Sequence, residues 1–232
     1  MTYVDASCAP LRKTGQIKIH GADAFEGMRK AGRLAAECLD MLVGQIKPGV
    51  TTEHIDRLIF ELGMDHGAMP ATLMYRGYRK STCTSVNHVV CHGIPSEKPL
   101  REGDIVNVDV TLILDNWHGD SSRMYAVGEV PRRAERLIEV TYEGMMRGIA
   151  AIKPGGTSGD VGHAIQSYVE AQHMSCLLYT SDLADDKLKD LNAKKRQKLD
   201  VLAQDNIDAL AKTIAGEFGA LDILVNLSLI HI

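Results

Sequence analysis

Residues 104–114 (DIVNVDVTLIL) alternate with the two-residue period of a β-strand. Val106, Val108, Val110, Leu112 and Leu114 fall on one face; Asn107, Asp109 and Thr111 fall on the other. So regular an apolar face must lie against a core. A carboxylate at the centre of such a strand is costly to bury unless it is paired or holds a metal. Asp115-Asn116 follows as a turn pair, and an apolar-aromatic pattern then resumes. With a two-residue turn, Thr111 lies opposite Asp120, and Asp109 becomes the diagonal neighbour of Asp120 on the same face. Diagonal neighbours lie roughly 7–8 Å apart at the backbone, so both carboxylates reach one or two shared cations. The plainer alternative makes Asp109 a buried polar residue with ordinary partners and Asp120 a loop-end cap.

Other features favour the first reading. Cys91-His92-Gly93-Ile94-Pro95 ends the preceding apolar run, His118-Gly119-Asp120 closes the hairpin, and Asn107 shares the polar face. Upstream stand Tyr75-Arg76-Gly77-Tyr78, Lys80-Ser81 and Ser85-Val86-Asn87, then Val89-Val90 before Cys91, and Gly103-Asp104-Ile105-Val106-Asn107-Val108-Asp109-Val110. In order and spacing these motifs resemble the type I methionine aminopeptidases of bacteria, over about residues 17–175.

Composition agrees with a globular protein. The chain has 232 residues, 45% of them hydrophobic, enough for one sizeable core or two small ones. A net charge of -4 argues against a nucleic-acid surface. The five cysteines, Cys8, Cys38, Cys83, Cys91 and Cys176, show no paired spacing and fit a reducing compartment. No signal-peptide core opens the chain and no apolar run is long enough to span a bilayer.

Residues 1–20 read as a loose arm. Over residues 22–46, Met28, Ala31, Leu34, Ala35, Cys38, Leu39 and Leu42 keep helical spacing, with Asp23 and Glu26 as a candidate capping box. Lys47-Pro48-Gly49 stops that helix. Thr51 or Thr52 caps a second over residues 53–66, with Ile55, Leu58, Ile59 and Leu62 on its apolar face, and Gly67 ends it. The stretch 69–80 reads as a loop at the core's edge.

An internal repeat appears at Ile46-Lys47-Pro48-Gly49-Val50-Thr51-Thr52. It recurs as Ile152-Lys153-Pro154-Gly155-Gly156-Thr157-Ser158, an offset of 106 residues. Each copy lies between amphipathic helices; in the second copy these cover residues 132–151 and 160–174. Leu137, Val140, Met145 and Ile149 form the apolar side of the first of them, and His163 is a surface residue of the second. Duplication predicts a second sheet after Met174.

The resemblance implies an α/β (α+β) pita-bread fold of two pseudosymmetric halves with a dimetal site between its half-sheets. It implies a domain over residues 21–175 that lacks the second half-sheet, followed by an unrelated helical and strand tail, 176–232. By resemblance Asp109 and Asp120 are metal ligands, and His92 is the substrate-contacting catalytic histidine. Tyr75, Tyr78, Cys83 and His92 contact substrate, the tyrosines lining a pocket for a methionine side chain. Asn87 and Val89 match a monovalent-cation site. The cofactors implied are two divalent ions (Co, Mn, Fe or Zn). The implied activity is removal of N-terminal methionine from nascent polypeptides, in the cytoplasm near the ribosome, by a monomer that binds neither nucleic acid nor membrane. The family's remaining ligands, one His and two Glu, one of these its general base, find no counterpart after Ser175, so this chain is expected to be inactive.

In the tail, residues 207–218 have the pattern of an amphipathic helix and 221–226 that of a buried strand; residues 183–226 resemble a short-chain dehydrogenase fragment. That family's glycine fingerprint and Tyr-x-x-x-Lys pair are absent. Residues 176–182 and 227–232 resemble translated sequencing-adapter text, which implies a chimeric reading frame. Two other readings stay open: a peptide-binding pseudo-enzyme, and a dehydrogenase defined by its tail.

Overall fold

The computed structural model describes residues 2–5, 16–176 and 224–225. They divide into two compact units, Met1–Val130 and Pro131–Ile232.

In the first unit, β1 (Thr2–Asp5) and β2 (Gln16–Ile19) pair in parallel. Helix α1 (Ala22–Met41) follows, extended by a 3-10 turn over Leu42–Gly44. Its N-cap is Gly21, and Asp23 lies in the first turn with no capping bond, a correction to the expected box. The helix begins two residues early, so Asp23 favours it only through the dipole. Ala31, Leu34, Ala35, Cys38, Leu39 and Leu42 are buried as expected, whereas Met28 is 48% exposed. Helix α2 (Thr52–Asp65) starts at Thr51, whose hydroxyl accepts the His54 N–H at 3.1 Å, and stops before Gly67 at φ +70°.

Strands β3 (Met69–Pro70), β4 (Thr82–Val86), β5 (Ile105–Leu114) and β6 (Trp117–Ala126) form one antiparallel sheet. β5 pairs with β6 along one edge, and with β4 and β3 end to end along the other. The turn between β5 and β6 is the two residues Asp115 and Asn116, both left-handed at φ 51° and 67°. That geometry matches the right-handed twist of the strands, and Asp and Asn tolerate it. Val106, Val108, Val110 and Leu112 are completely buried against Leu34, Cys38, Leu42, Ile55 and Ile59. Each such side chain contributes roughly 1.5–3 kcal/mol relative to exposure. Helix α1 approaches β6 so closely that a Cβ on Gly119 would lie 2.0 Å from the Ala31 carbonyl oxygen. Tyr125, on β6, donates its hydroxyl to the Leu39 carbonyl at 2.6 Å.

In the second unit, α3 (Arg132–Ala150) packs on α4 (Ser158–Ala171), which leads into β7 (Ser175–Cys176). Val140, Gly144 and Gly148 are the buried residues of α3, set against Ile165 and Val169. Met145 is 38% and Ile149 54% exposed, contrary to the expected apolar side. The two glycines let α4 close on their own stripe, and the larger apolar residues turn outward. His163 is exposed, as expected.

The repeat extends further than its motif. Thr157 caps α4 as Thr51 caps α2, with Asp160 completing a capping box. The Met174 N–H donates to Val169 as Ala68 donates to Gly63. His173 takes φ +60° where the first copy has Gly67. β7 then falls at the position of β3. β8 (Leu224–Val225) pairs in parallel with β7. The helix expected over residues 207–218 lies outside the described residues, and of the dehydrogenase-like stretch 183–226 only β8, within the strand expected over 221–226, is described. No helix among the described residues is long and apolar enough to cross a membrane.

Candidate metal centre

The polar face of β5 carries the site. Thr111 pairs directly with Asp120, and Asp109 with Ser122, so the two aspartates are diagonal neighbours as the two-residue turn predicts. The Thr111 hydroxyl donates to the Asp120 carboxylate. Across the other edge of β5, Cys83 pairs with Asp109 and Ser85 with Asn107. Cys83 is 8% exposed and shares a hydrogen bond with the half-buried Tyr78, whose hydroxyl donates to the Thr82 carbonyl at 2.8 Å. The Thr82 hydroxyl in turn donates to the Asp109 carbonyl.

His92 arrives from the loop after β4 at φ +54°, exposed, with its charge acting on Asp109. The loop is clamped to β4: the Thr84 N–H donates to the Gly93 carbonyl at 2.7 Å, and the Gly93 N–H to the Ser85 hydroxyl at 3.1 Å. A Cβ on Gly93 would lie 2.1 Å from the Thr84 oxygen, so only glycine permits this approach.

Burial, and then the charge of Asp120, push the Asp109 carboxyl up to about 6, with His92 opposing. Burial also raises Asp120, against the Thr111 hydrogen bond and His118. Two partly buried carboxylates that repel one another make a donor set suited to a divalent cation, which removes the repulsion. Asp109 and Asp120 supply two donors. Among the described residues no group of three or more His, Cys, Asp or Glu is placed to hold a metal ion.

Three expected site positions stand apart from this cluster. Tyr75 is 62% exposed, with the Arg76 guanidinium 5.4 Å from its ring centre. The Asn87 side chain ties β4 to β5, accepting from Ile105 N–H at 3.0 Å and donating to Asp104 at 2.8 Å. Val89 follows in the turn, its N–H donating to Val86 at 3.1 Å. The sequence reading missed the Thr111 bond to Asp120 and the Tyr78–Cys83 contact. The first was available from the cross-strand register; the second depends on a loop with no period.

The model of metallopeptidase family M24 matches residues 26–192, beyond the end expected near Ser175. The chain belongs to this family. A methionine aminopeptidase of Rickettsia prowazekii is 55% identical over 159 residues, which are 68% of this chain and 61% of that protein. A crystal structure of methionine aminopeptidase from Rickettsia prowazekii matches with a TM-score of 0.66 at 55% identity, covering 67% of this chain and 62% of the other. The Thermotoga maritima methionine aminopeptidase matches with a TM-score of 0.65 at 40% identity, over 67% and 63% of the two chains. This M24 chain thus spans about 61% of the length of the curated relative. Its mixed α and β architecture is that of the M24 fold.

Proposed function

We propose that this M24 chain carries the front of a type I methionine aminopeptidase, which removes N-terminal methionine from nascent polypeptides in the cytoplasm. The observation that carries the reading is the diagonal Asp109–Asp120 pair on the polar face of the hairpin, in a chain 55% identical to a methionine aminopeptidase. Asp109 and Asp120 are the ligands it offers to two divalent ions such as Co, Mn, Fe or Zn. Bound there, the ions supply an activated water and Lewis acidity. His92 donates to the scissile peptide and steadies negative charge on its oxygen, an oxyanion-type role. Tyr78 and Cys83 form the wall against the methionine thioether, with Tyr75 at the rim. Asn87 and Val89 are the positions offered to a monovalent cation. A catalytic site needs about three protein ligands per metal, so two carboxylates hold metal weakly and these 232 residues turn over little or nothing.

The test is hydrolysis of Met-Ala-Ser by the full chain with added Mn or Co, run beside metal-binding calorimetry. Methionine release that Asp109→Ala and Asp120→Ala each abolish supports the reading and means that further donors complete the site. Weak metal binding removed by both substitutions, without turnover, supports the carboxylate pair in an inert chain. Metal binding that neither substitution weakens overturns the proposal.

A further inference from the structure

Asp56 is the only charged side chain among the described residues that is buried, at 7% exposure. It belongs to α2 and lies outside the carboxylate pair. Its Oδ1 accepts the N–H of Ser81 at 2.7 Å and that of Thr82 at 2.9 Å. These are the residue before β4 and the first residue of β4. The segment they belong to is tied down from several sides. Thr72 donates its hydroxyl to the Lys80 carbonyl at 2.9 Å, and the Lys80 ammonium pairs with Glu53 on α2. Tyr78 and Thr82 continue the chain of bonds to Asp109, and Cys83 pairs with Asp109 directly. Burying a carboxylate costs free energy that two N–H bonds offset only if their geometry is held.

We infer that Asp56 is the positioning residue for the wall of the substrate pocket. By holding the Ser81 and Thr82 amides it sets the register in which Tyr78 and Cys83 stand against Asp109. The inference rests on the reading of Tyr78 and Cys83 as pocket wall.

The test is site-resolved alkylation of the full chain by N-ethylmaleimide, read by mass spectrometry, with completely buried Cys38 as the internal report of global unfolding. In Asp56→Ala, Cys83 should react roughly tenfold faster or more while Cys38 keeps its rate, because lost bonds to a buried charge ease local opening. Asp56→Asn keeps a carbonyl acceptor and should return Cys83 to within about threefold of the parent. Unchanged Cys83 labelling in Asp56→Ala overturns the inference. Equal acceleration of Cys38 and Cys83, or an Asn variant as fast as the Ala variant, overturns it too. Saturation-transfer NMR with L-methioninamide separates the two readings. A parent chain that shows the labelling pattern but does not bind methioninamide keeps the role of Asp56 and loses the methionine pocket. Binding that survives Asp56→Ala with Cys83 still protected does the reverse.

Discussion

Asp120 stands diagonally across the β5–β6 ladder from Asp109, with Thr111 directly opposite it. The pair is held by backbone hydrogen bonds on both sides of β5, so it cannot relax by moving apart. Burial first, and then this fixed charge of Asp120, hold the Asp109 carboxyl up at about 6, so its ionised form carries a cost of order 2–3 kcal/mol at neutral pH. Asp109→Asn should accordingly stabilise the metal-free chain by about 1–2 kcal/mol in EDTA while abolishing Mn binding. Urea unfolding and calorimetry on the same variant check this; a less stable Asn variant would refute it.

Gly119 and Gly32 predict opposite outcomes for the same substitution. A Cβ on Gly119 meets backbone of α1, whereas one on Gly32, inside that helix and exposed, meets nothing within 4 Å. Gly119→Ala should cost about 2–4 kcal/mol. Gly32→Ala should gain about 0.5–1 kcal/mol through helix propensity. Urea midpoints at unchanged slope measure both.

The repeated caps act locally. Thr51→Ala and Thr157→Ala should each cost about 1 kcal/mol. Amide exchange should then rise in α2 alone for the first and in α4 alone for the second. A change that crosses between the two helices would contradict this.

Alkaline pH should unfold the first unit. Burial pushes the Cys38 thiol up to about 11 and the Tyr125 hydroxyl up to about 12, from ordinary values of 9.0 and 10.0. Raised folded-state values mean that stability is complete below the unfolded pKa and is lost as pH climbs through the folded one. Each group withdraws about 2–3 kcal/mol across its window, Cys38 between about pH 9 and 11 and Tyr125 between about 10 and 12. The melting temperature should fall from about pH 9 upward, and Cys38→Ala should flatten the start of the fall. An identical pH profile for that variant would count against the assignment.

Legibility differed by element. The β5–β6 hairpin was readable because a period-two apolar face and an Asp-Asn turn are local signals, and together they placed Asp120 diagonal to Asp109. A threonine cap at Thr51 or Thr52, and the repeat at an offset of 106, were readable for the same reason, and the structure chose Thr51. Asp23 was misjudged because a capping box needs a backbone start that sequence leaves uncertain by a residue or two. Met145 and Ile149 were misjudged because their helix buries the stripe that its glycines open, and close approach carries no hydrophobic signal.

The amino-acid sequence alone determined the central strand, its turn, and the face on which both carboxylates stand, since each follows from alternation and turn chemistry over a few residues. Only the tertiary structure decided that β4 and the His92 loop close on Asp109, and that Asp56 reaches from α2 to hold Ser81 and Thr82. Those contacts join residues tens of positions apart, and packing alone selects them.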